Sequence, residues 1–221
     1  MAEPQLKIAG HSIGVSDAWV LLQLPPDLEF IGFDYAGDLG NDPPGGSDTV
    51  ELPDFGRLLL LGIPLDTDHV RSCLMAAEHA PWSAVPLEAR LADTPYGGAG
   101  TPYAHATALY RHFRYRYRLG VTIASAILHL KRPALVPLLN NEILAFYSER
   151  AVDLAASSDS ESPLYWEVFR RDLIDSAPGV AALRRKLGSA DDAVSHALSR
   201  LSDVRLFGVV VNGLAASATS S

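Results

Sequence analysis

Apolar residues recur at helical spacing along most of the chain after residue 52, and the clearest case begins at Thr101. Threonine is a favoured N-cap residue, and Pro102 suits the first turn of a helix. The spacing predicts a helix from Pro102 to about Tyr117, broken at Gly120. Its predicted inward residues are Ala106, Leu109, Tyr110, Phe113 and Tyr117.

The same criteria predict further helices on both sides of this one. Their approximate ranges are 53–61, 67–79 (capped by Asp66 or Thr67), 121–130, 138–149, a helix starting at Ser162–Pro163, 179–187, 190–201 and 203–213, the last capped by Ser202. In the helix after Asp66, we expect Val70, Leu74 and Ala77 on the buried face. In the helix after Pro163, we expect Trp166, Phe169, Leu173 and Ile174 to point inward.

The first fifty residues give a weaker signal. Two short apolar runs, Ala18–Leu24 and Leu28–Phe33, fit either two strands or a helix and a strand. Asp34–Asp48 is rich in Gly, Pro, Asn and Asp and predicts a loop. The sequence therefore predicts a mainly α protein. Residues 1–50 form an irregular segment that could hold short strands, 51–214 a single helical domain with a helix-hairpin-helix-like element, and 215–221 a disordered tail.

Composition indicates the class of protein and the compartment in which we expect it. The chain has 221 residues, 48% hydrophobic and 20% charged, which is typical of a folded globular protein. Its single cysteine, Cys73, rules out a disulfide framework within one chain and favours a reducing compartment. No segment reads as a secretory signal or as a long apolar span. We expect a cytoplasmic protein, and no motif indicates a cofactor.

Charge is distributed unevenly. The net charge is −8, which by itself disfavours a general nucleic-acid binder. Between Thr94 and Asn141, however, there are six basic residues and no Asp or Glu, which leaves 12 basic and 26 acidic residues elsewhere. The six are Arg111, Arg114, Arg116, Arg118, Lys131 and Arg132. An acidic protein with one basic band can still bind a polyanion.

Within this band, two predicted helices meet at Gly120, two residues before Thr122. A tight glycine turn can direct backbone N–H groups and a helix N-terminus at a phosphate, and neighbouring arginines add affinity that does not depend on sequence. The alternative is structural. Alternating Tyr and Arg can form a half-buried stripe with the arginine stems over apolar neighbours, or the arginines can pair with acidic helices of the same chain.

The passage from Gly120 through Ala124, Ser125 and Lys131-Arg132-Pro133 to Val136-Pro137 resembles the helix-hairpin-helix of the DNA glycosylase superfamily. The longer motifs LKRPALVPLLNNEILAFY, PLYWEVFRRDL and LSDVRLFGVVV resemble an uncharacterised actinobacterial family, a domain of unknown function. This second resemblance covers about residues 52–213 and implies no activity.

The departures from the glycosylase pattern concern its chemistry. That family has Gly-x-Gly in the hairpin, where this chain has Arg118 and Gly120. Its nucleophilic lysine corresponds to Thr122, and its catalytic aspartate to Asn140 or Asn141. Since an amide cannot supply the carboxylate that base excision needs, the resemblance implies a scaffold without the chemistry.

Three functional hypotheses follow. The first is a non-catalytic protein that binds nucleic-acid backbone or another polyanion through the six basic residues, with Gly120, Thr122, Asn140 and Asn141 beside them. The second is a protein-interaction or structural partner, such as a homodimer, in which the arginines meet an acidic surface. The third is an enzyme of unrecognised type that uses His105, His112 or Asn141. Asp66, Asp68 and His69 suit a metal but more simply fit a helix N-terminus.

Overall fold

The computed structural model describes residues 3–23, 28–35, 46–158 and 160–219. The described chain is mainly helical, as predicted, with one small β-hairpin near its N-terminus. Strands β1 (Gln5–Ile8) and β2 (His11–Gly14) pair antiparallel. The helices are α1 (Val15–Gln23), α2 (Leu28–Tyr35), α3 (Leu52–Leu60), α4 (Thr67–Glu78), α5 (Pro102–Arg111), α6 (Val121–Lys131), α7 (Asn141–Ser157), α8 (Tyr165–Asp175), α9 (Ala177–Gly188), α10 (Ala193–Arg200) and α11 (Asp203–Thr219).

Side-chain caps explain where several helices begin. The carboxylate of Asp66 accepts from the backbone N–H of His69 at 2.8 Å, and the hydroxyl of Thr101 accepts from that of Ala104 at 3.2 Å. Ser202 caps α11 in the same way, through the N–H of Arg205. Each cap satisfies an amide that has no partner inside its own helix, so these short polar residues fix the helix starts.

Two compact units make up the chain, and their limits differ from the predicted domains. Unit 1 combines residues 1–26 with 140–221, and unit 2 is residues 27–139. The predicted boundary at residue 50 therefore falls inside unit 2. The reason is tertiary: the hairpin and α1 pack on α8, α9 and α11, far along the sequence, and no local pattern can show such a pairing.

In unit 1, side chains from α8 and the residue after it close one edge of the hairpin. The hydroxyl of Ser176 accepts from the backbone N–H of Lys7 at 2.7 Å and donates to its carbonyl at 3.0 Å. The carboxylate of Asp172 accepts from the N–H of Ala9 at 2.6 Å. Gly179 lies so close that a Cβ there would be 2.5 Å from the carbonyl oxygen of Gln5. Unpaired strand groups are thereby satisfied by helix side chains.

In unit 2, helix α6 is the centre of the core. Its residues from Ile123 to Lys131 are all buried, which a helix achieves only when neighbours surround it. Two contacts fasten the chain that follows. Ser125 Oγ donates to the carbonyl of Leu139 at 2.8 Å, and the ring Nδ1 of His129 lies 2.7 Å from the carbonyl oxygen of Val136.

Several predictions about elements were wrong. The runs starting at Ala18 and Leu28 are both helical, and the strands lie earlier in the chain. Helix α11 continues to Thr219 with Ala215 buried, so the predicted disordered tail is helical as far as it is described. Leu74 and Ile174 were expected inward but are exposed, because the buried face of α4 runs through Cys73, Ala76 and Ala77, and that of α8 ends at Leu173. Most of the loop predicted at 34–48 lies outside the described residues.

Candidate functional site

Four arginines lie where α5 ends and the chain turns into α6. We call residues 111–122 the arginine segment. Arg111, Arg116 and Arg118 are exposed and Arg114 is half-buried. No carboxylate of the described residues pairs with any of the four. These arginines are therefore not consumed by ion pairs within the described part of the chain, which is the observation that the first hypothesis requires.

The geometry of the segment comes from a change of helix type. Helix α5 passes into a π-helical turn over His112–Arg116. A π-helical turn contains more residues than an α-helical turn, and such turns are frequent at functional sites. Phe113 stays fully buried, whereas Tyr115 is 63% exposed between two arginines. Of the residues predicted to point inward, Ala106, Leu109 and Phe113 are buried, whereas Tyr110 and Tyr117 are half-buried.

Arg114 holds the turn together. Its guanidinium donates to the carbonyl of Leu119 at 3.0 Å and lies 5.3 Å from the ring centre of Tyr115. Burial raises the pKa of Tyr110, on the previous turn, to about 12, and the positive charge of Arg114 opposes that rise. Arg114 therefore organises the segment, while the three exposed arginines remain available to a ligand.

Arg118 has an unusual backbone conformation. Its φ is +56°, in the left-handed region that L-residues other than Asn and Asp rarely adopt. The resemblance to glycosylases puts a glycine at this position, which would adopt that conformation without strain. An arginine here keeps the turn and adds a charge to it, at some cost in backbone energy.

At the start of α6, Gly120 is the N-cap residue and supplies no side-chain cap. Thr122, which the glycosylase resemblance sets against a nucleophilic lysine, is half-buried in the first turn. The first amides of α6 therefore have no capping oxygen from Gly120, and the helix dipole places partial positive charge at the arginine segment.

Lys131 and Arg132, at the other end of the basic band, have a structural role. Lys131 Nζ donates to the carboxylate of Asp54 at 2.7 Å, and both side chains are buried. Arg132, only 1% exposed, donates to the carbonyls of Val85 and Ser47 at 2.8 and 3.0 Å. Its guanidinium also reaches the carboxylate of Asp48 at 2.6 Å. Because these two cations are buried and paired within the protein, they do not belong to the exposed set of arginines that a ligand could contact.

Asn140 and Asn141 belong to unit 1. Asn140 is the N-cap of α7, since its side-chain oxygen accepts from the N–H of Ile143 at 2.8 Å, and its amide donates to Asn212 at 2.9 Å. Asn141, in the first turn of α7, is exposed. Asn140, one of the two residues that the glycosylase resemblance sets against a catalytic aspartate, therefore caps a helix here, a role in which asparagine is as effective as aspartate.

Two residues of the enzyme hypothesis, His105 and His112, lie on α5 and in the π turn that follows it. His112 Nε2 lies 2.9 Å from the carbonyl oxygen of Ala76, and His105 is half-buried on α5. Asp66 and His69 cap each other at the start of α4, as the simpler interpretation expected. Within the described ranges, no three metal-binding side chains are grouped together. Cys73 is fully buried, and this burial raises the pKa of its thiol to about 12, which disfavours the thiolate form that a nucleophile needs.

A second polar cluster lies in unit 1. Arg150 donates to both oxygens of Asp172 at 2.8 Å, and the buried Tyr147 lies close to the same carboxylate. Burial, reinforced by the charge of Asp172, raises the pKa of Tyr147 well above its usual value. Since the same carboxylate also holds the N–H of Ala9, this cluster fastens the hairpin to α8.

Comparison with known proteins assigns the chain to a family. The model described as a family of unknown function, DUF6308, matches residues 33–214. The chain belongs to this family. The matched range contains the whole arginine segment and starts after the hairpin. No curated protein and no solved structure matches the chain. The resemblance to an uncharacterised family is thus confirmed, and the glycosylase likeness remains a prediction.

Among the described helices, none is both long and apolar enough to cross a bilayer alone; α10 and α11, bent by 118°, meet that requirement only as a pair.

Proposed function

We propose that this protein is a non-catalytic binding protein that contacts nucleic-acid backbone, or another polyanion, through the arginine segment. The observation that carries the proposal is the set of four arginines without a carboxylate partner in the described structure. Arginine binds phosphate with paired N–H donors and is always charged. Three exposed arginines within eight residues supply a compact set of such donors.

The surrounding sequence supports the proposal. Because no Asp or Glu occurs between Thr94 and Asn141, no acidic residue near in sequence competes for these guanidinium groups. The rest of the protein is acidic, so association depends on this one band, and the overall charge opposes binding elsewhere. The uncapped first turn of α6 adds backbone donors and a favourable dipole beside the arginines.

Salt dependence tests the proposal. Fluorescence anisotropy would be measured with labelled duplex and single-stranded DNA at about 50 and 200 mM salt, a range over which phosphate contacts weaken steeply. The double variant R111A/R116A is expected to bind more weakly and to lose about one unit of salt slope for each arginine removed.

The matched control is R71A/R185A, which removes the same charge at two exposed positions outside the segment. It is expected to bind almost as tightly as the unaltered protein. If both double variants weakened binding equally, only net charge would matter. If the unaltered protein showed no binding at low salt, the proposal would be wrong.

The second candidate function is protein interaction. Helix α3 exposes three leucines, Leu52, Leu59 and Leu60, at 73%, 56% and 49%. Exposed apolar side chains on one helix are a common feature of protein interfaces. Sedimentation velocity over a hundredfold range of concentration would reveal a homodimer, and L52S/L59S should abolish it. A monomer at every concentration would argue against self-association.

A further inference from the structure

Tyr115 is unusual among the aromatic residues of the described chain. It is 63% exposed, whereas the other large exposed aromatic, Tyr96, is 38% exposed and packs edge-on against Tyr103. Tyr115 follows Arg114 and precedes Arg116 in the π turn, and the Arg114 guanidinium lies near its ring. A ring that lies mostly in water adds little to the stability of the fold, and binding offers a reason for its position.

The ring is also held in place. The Arg114 guanidinium lies 5.3 Å from its centre, and the same guanidinium is tied to the carbonyl of Leu119. The buried Leu119 and Phe113 anchor the turn on either side. Because a tethered cation contacts the ring while most of the ring faces solvent, Tyr115 resembles a prepared stacking platform more than a mobile surface residue.

We infer that the ligand of the arginine segment is a single-stranded nucleic acid, one base of which stacks on Tyr115. This inference rests on the proposed function and narrows it. A duplex keeps its bases paired and stacked inside, so a ring on the protein surface cannot reach their faces. An unpaired strand offers bases and phosphates together, and proteins that bind such strands combine aromatic platforms with basic grooves. Stacking works with every base, so no sequence preference is expected.

The alternation of Tyr and Arg in the segment suits this ligand. Tyr115 offers a ring for a base, and Arg116 and Arg118, exposed beyond it in sequence, offer charges for neighbouring phosphates. A ligand that is only a chain of charges, such as linear polyphosphate, would use the arginines and ignore the ring. This difference separates the inference from the broader proposal.

The test compares two probes on the same full-length protein. Binding of labelled 20-residue oligo-dT and of labelled linear polyphosphate would be measured for the unaltered protein, Y115A and Y115F. We expect Y115A to weaken oligo-dT binding about tenfold, the typical loss when a stacking ring is removed. Y115F keeps the ring and should bind normally. Polyphosphate binding and the salt slope should be unchanged in both variants.

Y165A, which truncates a half-buried tyrosine of α8 in unit 1, is the control for loss of an aromatic ring elsewhere. Thermal melting should show Y115A as stable as the unaltered protein, because the ring is mostly exposed. Equal oligo-dT affinity for Y115A and the unaltered protein would overturn the inference, and polyphosphate binding in that experiment would leave the proposed function standing. If the protein bound neither probe, both would fail.

Discussion

The basic residues at the two ends of the acid-free band have opposite environments. Arg111, Arg116 and Arg118 are exposed, without carboxylate partners among the described residues, whereas Lys131 and Arg132 are buried and paired with Asp54 and Asp48. All five side chains carry a positive charge, and their surroundings decide what that charge does. A buried cation must be satisfied by the protein itself, while an exposed one is satisfied by water until a ligand replaces it.

The difference teaches how to read a basic band in an acidic protein. The carboxylates that satisfy Lys131 and Arg132 come from residues 48–54, some eighty positions earlier in the chain. Counting charges within the band therefore cannot distinguish its two ends. Stability and binding measurements can, because the buried end should govern folding and the exposed end should govern association.

The largest effect is expected for Arg132→Ala. The substitution removes the hydrogen bonds to the carbonyls of Val85 and Ser47 and the ion pair with Asp48, and it leaves a cavity beside Trp82. We expect the free energy of unfolding to fall by about 4 kcal/mol. Urea denaturation followed by tryptophan fluorescence measures it, with R116A as the control. If R132A lost no more unfolding free energy than R116A, the contrast between the buried and exposed ends of the band would be wrong.

The next effect concerns the chain that Arg132 holds. A Cβ at Gly46 would lie 2.2 Å from the carbonyl oxygen of Lys131, a backbone atom that cannot move easily. We expect Gly46→Ala to lower the free energy of unfolding by about 2 kcal/mol.

Gly56→Ala, in α3, is the matched control, because nothing lies within 4 Å of its added Cβ. Alanine in a helix should raise the free energy of unfolding by about 0.5–1 kcal/mol. If both substitutions changed the free energy of unfolding in the same direction, the close packing of Gly46 against Lys131 would not be important.

Arg114→Ala should have an intermediate effect, since this half-buried side chain combines both roles. Loss of its hydrogen bond to Leu119 should cost about 1 kcal/mol of unfolding free energy. The same variant should also weaken oligonucleotide binding by releasing Tyr115. Arg114→Lys keeps the charge without the planar stack, so it should restore part of the phosphate affinity but not the tyrosine's contribution. Full recovery with lysine would indicate that charge alone matters.

The smallest effect, and the one with an unusual sign, is expected for Arg118→Gly. Its positive φ costs an arginine about 1–2 kcal/mol, and the flexibility of glycine in the unfolded chain offsets part of that gain. We expect slightly higher stability, by about 0.5 kcal/mol, together with weaker polyanion binding. Arg116→Gly removes the same charge from a helical turn and should destabilise by about 1 kcal/mol. Thermal melting distinguishes the two, and equal shifts would argue against strain at residue 118.

Local patterns predicted most of the helices, because periodicity and caps such as Asp66 and Thr101 are properties of neighbouring residues. They failed where distant contacts decide. The strand pair depends on Ser176 and Asp172 for its outer edge, and α1 and α2 are too short for periodicity to separate helix from strand.

The candidate site was predicted in part for the same reason. The arginines of the segment could be found by counting charge, but the burial of Lys131 and Arg132 depends on partners outside the band. Tyr115 belongs to the alternating Tyr and Arg residues of the band, but it was not predicted as a site residue. The signal that could have found it is the strict alternation of Arg and Tyr from Arg114 to Arg118, which does not match a helical period.

The pair of hydrogen bonds between Lys7 and Ser176 has a consequence for folding during synthesis on the ribosome. The two residues are separated by 169 positions, with the whole of unit 2 between them. At ordinary translation speeds the hairpin emerges about 10–30 s before the hydroxyl that completes it. During that interval the side chains of Leu6 and Ile8, which are fully buried in the finished fold, have no helix to cover them, while unit 2 is free to fold. The newly made hairpin is therefore the natural place for a chaperone to act.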